Sequence, residues 1–306
     1  MNGRVPADTA ERAETAQTAE TAEPVSAVFR LLREAAGLRR CQIGLVLSVL
    51  ILAVALMGPV IAPFSPTAFV AAPFAMPSAQ LPFGADYLGR DVLSRFLCGG
   101  MSLLLISVPA TLLGVGLGAA LGIAAAMNKG LVSEAIMRLL DVLLAFPQIV
   151  LALLFITLLG PEPWLLVCVV ALAHFPQSTR VLKGAATDAV ERDFITAVRI
   201  IGMPRYKIVF EELLPNVGGQ LLVELGLRFT YSIGIIAALS FLGLGRQPPN
   251  PDWGLMVSEN KVALLFQPWG TLLPVLAIAV LTVGVNLVAD AIGRVTARIQ
   301  VRSDAT

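Results

Sequence analysis

The sequence predicts an all-α integral membrane protein with six transmembrane helices and with both termini in the cytoplasm. Hydrophobic residues occupy 57% of the 306 positions and charged residues only 14%, and the mean hydropathy of +0.81 lies well above that of soluble domains. Six apolar runs are each long enough to cross about 30 Å of hydrocarbon. Lysine and arginine concentrate in segments that would share one side of the membrane, which fixes the predicted orientation.

The chain before the first apolar run divides into two parts. Residues 1–27 are mostly Ala, Glu and Thr in near-repeats, and we expect a disordered cytoplasmic tail because such a segment cannot bury enough apolar surface to offset the entropy of ordering. They do not resemble a secretory signal, since no basic end leads directly into an apolar run. Residues 28–40 predict a basic juxtamembrane helix, which contains Arg30, Arg33, Arg39 and Arg40.

The first transmembrane helix is predicted at 41–62, and a proline-rich extracytoplasmic loop follows at 63–100, with a short amphipathic helix near its end. Residues 101–299 are expected to form a five-helix core, and residues 300–306 a C-terminal tail. The five predicted spans of the core are 101–127, 136–159, 163–184, 217–243 and 271–293. Prolines within these spans remove a backbone hydrogen bond and permit kinks, at Pro109, Pro147, Pro176 and Pro274.

The distribution of basic residues supports a cytoplasmic N-terminus. The predicted inner segments hold 17 of the 22 lysines and arginines, and these segments are 1–40, 128–138, 178–212 and 294–306. The net charge of +1 points to no nucleic-acid partner. The polar segment 191–216 is therefore expected to face the cytoplasm, where it is accessible to cytosolic proteins.

The segment 191–216, ERDFITAVRIIGMPRYKIVFEELLPN, is the longest polar interruption after the first third of the chain. Apolar residues at helical spacing on both sides of Gly202 predict two short amphipathic helices. The apolar set is Phe194, Ala197, Val198 and Ile201 before the glycine, and Met203, Tyr206, Val209, Phe210 and Leu213 after it. The pattern fits a surface connector, which the residues alone favour, or a docking element for a partner protein.

Motifs for nucleotide or metal binding are missing from the sequence. No G-x-x-x-x-G-K-[ST] phosphate loop occurs, so we expect ATP not to bind to this chain in the usual way. Cys41, Cys98 and Cys168 have neither metal-ligand spacing nor the pattern of a disulfide framework, and they are expected to be small apolar packing residues. No cofactor or metal is therefore predicted on this chain.

Ionisable residues within the predicted spans are few. Glu224 and Arg228 stand four apart on one helix and can pair, which favours a structural ion pair over a gating or substrate contact. Asp141 and Asp290 lie near the inner ends of their spans, where water or a basic neighbour can solvate them. His174, the only histidine, is expected to be a hydrogen-bonded packing residue rather than a ligand.

The glycine-rich run LLGVGLGAALGIAAA contains two overlapping G-x-x-x-G motifs, formed by Gly114, Gly118 and Gly122, with Gly116 between them. Such spacing lets a neighbouring helix approach closely. Two interpretations stay open, namely packing within the helix bundle and a subunit interface that lines a pathway.

Four segments together resemble the inner-membrane permease subunits of ABC importers, within the dipeptide/oligopeptide/nickel group, and more narrowly the C-type permease of that group. The likeness covers residues 40–299 and depends on the order and spacing of its motifs. These segments are DYLGRDVLSRFLCGGMSLLL (86–105), MRLLDVLLAFPQIVLALL (137–154), the segment 191–216 and LSFLGLGRQPPNPDWGLM (239–256).

The resemblance implies that 191–216 is a coupling-helix loop that docks into a cleft of an ATPase subunit. The family pattern is E-A-A, then a glycine after three further residues, then a downstream L-P. Its counterparts here are Thr196, Ala197 and Val198, then Gly202, then Leu214 and Pro215. Thr196 thus replaces the usual glutamate, and the basic residues Arg199, Arg205 and Lys207 can supply polar contacts instead.

The resemblance also implies partners, location and function. The expected assembly is a heterodimer with a second homologous permease, two ATP-binding subunits that hold ATP and Mg, and an extracytoplasmic substrate-binding protein, in the bacterial inner membrane. The chain would form half of a pathway for di- or oligopeptides, with Glu224 and Arg228 as candidate pathway or gating residues. Nickel or another small solute stays open as substrate, and the rival classes are a secondary transporter driven by an ion gradient and a non-transporting scaffold.

Overall fold

The computed structural model describes residues 24–303 except residue 129, and this part of the chain is helical, with turns and two isolated β-bridges. Five of its helices are long and apolar enough to cross a membrane, and the number becomes six if one bent pair counts as a single span. The α-helices are α1 (Pro24–Ala36), α2 (Arg39–Ile61), α3 (Val92–Met127), α4 (Leu131–Leu144), α5 (Gln148–Leu159), α6 (Pro163–Val190), α7 (Asp193–Ile200), α8 (Arg205–Lys207), α9 (Leu214–Asn216), α10 (Gly218–Phe241), α11 (Trp253–Asn260) and α12 (Trp269–Ser303).

Both ends of the described chain are more helical than the sequence indicates. Helix α1 begins at Pro24, so the last four residues of the predicted tail 1–27 are helical, and residues 1–23 lie outside the described range. Proline suits a first helical position because its missing N–H is not needed there. Helix α12 continues to Ser303, beyond the predicted start of the C-terminal tail at 300, since no glycine or proline ends it.

Helix α3 starts nine residues earlier than the predicted span. Asp91 caps its N-terminus, and the Asp91 carboxylate accepts hydrogen bonds from the Ser94 backbone N–H at 2.8 Å and from the Ser94 hydroxyl at 2.6 Å. The short amphipathic helix expected within 63–100 is therefore the first part of α3. With 36 residues, α3 extends about 54 Å and connects two opposite ends of the molecule, which we call the 63–91 end and the 191–216 end.

Small residues bring α3 and α6 into close contact. A Cβ atom on Gly118 would lie 2.6 Å from the Ser178 Cβ, and one on Gly122 would lie 2.8 Å from the Lys183 backbone nitrogen. Gly114 similarly faces the Ala171 backbone at 3.1 Å. Packing within the bundle is thus confirmed for these three glycines, whereas Gly116 faces open space.

Residues 136–159 form two helices and not one continuous helix. Helices α4 and α5 are bent by 78° relative to each other, at a break that ends with Pro147. Pro147 precedes the first residue of α5, where its missing N–H costs nothing. In contrast, α3, α6 and α12 continue through their prolines at Pro109, Pro176 and Pro274.

A buried ionic network, which we call the Asp86 cluster, fixes the 63–91 end. Asp86 accepts a 2.7 Å hydrogen bond from Arg90 Nε and also binds Arg95, which in turn donates to Glu259 at 2.7 Å. Tyr87 donates its hydroxyl to Glu259 at 3.1 Å. Two guanidinium groups and two carboxylates thus balance each other out of contact with water, and they link the start of α3 to α11.

Trp253, the first residue of α11, packs beside this cluster. Its ring is fully buried, stacks on Phe96 at a centroid distance of 5.6 Å and donates to the Phe96 carbonyl at 2.8 Å. Gly99 and Gly100 leave the space for the ring, since a Cβ atom on Gly100 would lie 2.6 Å from it. The tryptophan thus anchors the connection between α10 and α12 on α3.

Candidate functional site

The segment 191–216 folds as two helical pieces around a glycine turn. Helix α7 ends in a Schellman motif, in which the Met203 N–H donates to the Val198 carbonyl and the Gly202 N–H donates to the Arg199 carbonyl, both at 3.1 Å. Gly202 has φ +85°, and a Cβ atom added to it would meet no neighbour within 4 Å. The glycine is therefore required by the left-handed turn and not by close packing within the chain.

The second piece is continuous but irregular. A π-helical turn at Ile208–Leu213 lies between α8 and α9. Pro215 has no N–H to donate to the carbonyl of Glu211, and a wider turn before it relieves the clash of its ring with that carbonyl. The local sequence thus accounts for the irregularity.

One face of this segment is firmly attached to the bundle. Ile195, Ile208 and Leu213 are fully buried and pack against the ends of α3 and α6, together with half-buried Phe194, Val198, Met203 and Val209. The residues supplied by α3 and α6 are Ile123, Ala126, Ala186, Ala189 and Val190. A rigid base of this kind moves together with the two long helices.

Large apolar side chains of this segment are also exposed. Ile200 is 81% exposed, Ile201 83%, Tyr206 64% and Phe210 66%. Of the nine apolar residues at helical spacing, Ala197, Ile201, Tyr206 and Phe210 are thus exposed, and the other five contact the buried base. A cluster of exposed apolar residues of this size is characteristic of a protein interaction surface.

The residues selected from the family pattern fall into two groups. Six are exposed, and they are Thr196, Ala197, Arg199, Gly202, Arg205 and Lys207. Leu214 and Pro215 are half-buried, and Leu214 packs against the buried base. The first group is therefore accessible from outside the chain, while the second lies partly within it.

An apolar groove of about 480 Å³ separates this segment from α3. Arg205, Tyr206 and Phe210 form one wall, and the other includes Gly116 and Ala120. The groove accounts for the open space beside Gly116.

The predicted ion pair is confirmed within the bundle. Arg228 Nε donates to Glu224 Oε1 at 2.6 Å, and both side chains are buried. Ser178 also donates to Glu224 Oε1, at 2.9 Å, and Arg228 Nη1 donates to Gln177 Oε1 at 2.9 Å. The two α6 partners were not predicted, because no sequence spacing relates them to α10.

The structure also shows the surroundings of Asp141, Asp290 and His174, the other ionisable residues singled out in the spans. Asp141 pairs with Arg180, and Asp290 pairs with Arg294 at 3.0 Å and with Arg40 at 3.3 Å, so each has the basic neighbour that was expected. His174 is fully buried, but neither ring nitrogen has a hydrogen-bond partner within the described residues. The expected hydrogen bond of His174 is thus missing there.

The three cysteines are separate free thiols. Cys41 is buried, Cys98 is half-buried and Cys168 is exposed. The packing role expected for all three fits Cys41 and Cys98 but not Cys168.

Comparison with known proteins agrees with this architecture. Residues 114–298 match the family model described as "Binding-protein-dependent transport system inner membrane component". The chain is 34% identical over 254 residues to the "Di/tripeptide transport system permease protein DppC" of Pseudomonas aeruginosa, an alignment that covers 81% of this chain and 84% of the relative.

Two further relatives have related names. The chain is 35% identical to the "Glutathione transport system permease protein GsiD" of Pectobacterium atrosepticum, over 70% of this chain and 71% of the relative. It is 33% identical to the "Dipeptide transport system permease protein DppC" of Alkalihalophilus pseudofirmus, over 70% of this chain and 71% of the relative. With a family model matching more than half of its length, this chain belongs to the inner-membrane permease components of binding-protein-dependent transport systems.

Proposed function

We propose that this chain is one of two permease subunits in an ATP-driven importer of peptides, and that the exposed face of 191–216 docks on an ATPase subunit. The names of the relatives support a peptide substrate, since they refer to dipeptides, di- and tripeptides and glutathione. The excess of basic residues at the 191–216 end supports a cytoplasmic location for that end.

The main observation behind the proposal is that 191–216 has one set of apolar residues buried in the bundle and another set exposed. One side is anchored through Ile195, Ile208 and Leu213, while Ile200 and Ile201 are exposed to solvent close to basic Arg199 and Arg205 in the sequence. Exposed apolar residues lower solubility, and they stabilise an assembly only when a partner covers them. The partner proposed here is an ATPase subunit, since transport-system permeases are the relatives of this chain.

The anchoring suggests how force reaches the membrane. When two ATPase subunits close on ATP and Mg, a docked 191–216 segment moves with them. The buried base then transmits that displacement to α3 and α6, which share the contacts of Gly118 and Gly122 and so respond as one body. The second permease, which would form a heterodimer with this chain, supplies the other half of the pathway.

The 63–91 end would face the extracytoplasmic binding protein. The Asp86 cluster and Trp253 hold its loops in one arrangement, which pre-organises a surface for a soluble partner. This chain contributes no catalytic residue, and ATP and Mg belong to the partner subunits.

Reconstitution tests the proposal. The chain with its permease partner, ATPases and binding protein is placed in vesicles, and uptake of a labelled dipeptide is followed with ATP or with an imposed proton or sodium gradient. We expect uptake with ATP alone, and none with ATP and a non-hydrolysing ATPase variant. Uptake driven by the ion gradient without ATP would refute the proposal in favour of a secondary transporter.

A further inference from the structure

The face of α6 that contains Gln177 changes from buried to exposed along the helix. Towards the 63–91 end it is buried in the bundle, at Leu166, Val170 and Ala173. From Gln177 onwards the same face is exposed, and it carries Gln177, Arg180, Gly184 and Asp188. These residues are spaced three or four apart, so they form one polar stripe.

Helix α10 extends this stripe sideways. The Arg228 guanidinium, which donates to Gln177, lies over the ring of Tyr231 at 5.4 Å from its centroid. Tyr231 is 56% exposed, although Arg228 itself is buried. Gln177 and Tyr231 therefore present an amide and a phenol hydroxyl side by side, with the guanidinium behind them.

The depth of these residues excludes lipid as their neighbour. Arg228 lies ten residues into α10, or about 15 Å from the start of that helix, which is half of a hydrocarbon core about 30 Å thick. Polar and ionisable groups at such depth face the interior of a bundle or a water-filled cavity. The exposed stripe on α6 therefore faces either a partner subunit or an aqueous space, and not lipid.

The charges along the stripe are balanced near the membrane centre. Arg228 pairs with Glu224, and Arg180 pairs with Asp141. At this depth a solute would therefore meet hydrogen-bonding groups, from Gln177 and Tyr231, and no net charge. Peptide bonds, with one donor and one acceptor each, match such groups whatever the side chains are.

We infer that Gln177, Arg180 and Gly184 of α6, together with Tyr231 of α10, form the wall along which a peptide moves from the membrane centre to the cytoplasm, and that this wall contacts the peptide backbone. The inference depends on the proposed function, because it takes the transported solute to be a peptide. The wall is charge-neutral, so acidic and basic peptides of equal length pass it with similar ease.

Charged variants of Gly184 test the wall directly. Gly184 is exposed, and a Cβ atom added to it would have nothing within 4 Å, so a side chain fits there without a steric clash. In the reconstituted complex, Gly184→Glu should lower the ratio of acidic to basic dipeptide uptake about tenfold, as expected for two charges within about 10 Å in a partly screened site. Gly184→Lys should raise the same ratio.

Three controls make the outcome decisive. Gly184→Ala should leave the ratio as in the wild type, and so should Gln80→Glu and Gln80→Lys, which alter an exposed residue at the opposite end. Unchanged ratios in both charged Gly184 variants, with neutral dipeptide uptake intact, would overturn the wall and leave the proposed function standing. If the wild-type complex takes up no peptide with ATP, both proposals fail.

If the charged variants do not assemble, cysteine labelling measures the water accessibility of position 184 instead. Gly184→Cys is introduced with Cys41, Cys98 and Cys168 replaced by Ser, and a membrane-impermeant maleimide is added from the cytoplasmic side. We expect labelling, because thiolate formation and reagent access both require water. An unreactive Gly184→Cys in an assembled, transporting complex would overturn the inference.

Discussion

Two isoleucines of the 191–216 segment allow a matched test of how it works. Ile195 is fully buried in the base, whereas Ile201 is almost fully exposed. Replacing either by alanine removes the same three carbon atoms. The expected consequences differ, because only Ile195 is enclosed by neighbours within this chain.

The magnitudes follow from burial. Ile195→Ala should cost about 2–5 kcal/mol of local stability, from lost transfer free energy plus a residual cavity. Ile201→Ala should leave the free chain unchanged within about 0.5 kcal/mol. If an ATPase covers Ile201, each of the three lost carbon atoms contributes about 0.8 kcal/mol to the binding free energy, or roughly 2 kcal/mol together. Ile201→Ala should then weaken ATPase binding about 30-fold.

Two assays separate these effects. Amide hydrogen exchange over 193–213 should accelerate in Ile195→Ala and stay as in the wild type in Ile201→Ala. Affinity for the ATPase subunits, measured with the permease pair in nanodiscs, should fall in Ile201→Ala. Wild-type ATPase affinity in Ile201→Ala would refute the assignment of this face to the motor, and unchanged exchange in Ile195→Ala would refute the anchoring.

Three further predictions concern a glycine, a buried cluster and a buried carboxyl group. Gly202→Val should uncouple ATP hydrolysis from peptide uptake, because the left-handed turn at this position excludes a β-branched residue. Gly202→Asn should retain more coupling, because asparagine tolerates that conformation. Equal ratios of peptide uptake to ATP hydrolysis in the two variants would contradict this. Asp86→Asn leaves two buried guanidinium groups facing one carboxylate and should cost about 3–5 kcal/mol in thermal unfolding experiments, while Glu134→Gln, in an exposed pair, should change less than about 1 kcal/mol. Burial raises the pKa of Asp252 above 3.8, so the folded chain binds this proton more tightly than the unfolded chain, and stability should decline as pH rises above the ordinary value. Asp252→Asn should flatten that dependence in melts from about pH 4 upwards, and an identical slope in wild type and variant would argue against it.

Features that depend on local sequence were predictable. The apolar runs located the long helices to within a few residues at α2, α10 and the start of α12, because hydrophobic length is a direct consequence of membrane thickness. The Glu224–Arg228 pair was predictable from its spacing of four on one helix. The packing glycines at 114, 118 and 122 follow a spacing of the same kind.

Features that depend on distant contacts were not predictable. Arg90 and Arg95 meet Glu259 across 169 and 164 residues, and no periodicity relates them. Gln177 joins Arg228 in the same way, across 51 residues. The rotation of the second helical piece of 191–216 was not predictable either, because the Schellman turn after α7 sets it and helical spacing alone does not encode it.

The central claim is that the exposed face of 191–216 contacts an ATPase subunit. It is tested most directly by replacing Ile201 with a photoreactive phenylalanine analogue in the assembled, nucleotide-free complex, with the same analogue at exposed Phe69 of the 63–91 end as control. We predict a crosslink from position 201 to an ATPase subunit and none from position 69. A position 201 that crosslinks only to lipid, or to the ATPase no more than position 69 does, would contradict the claim.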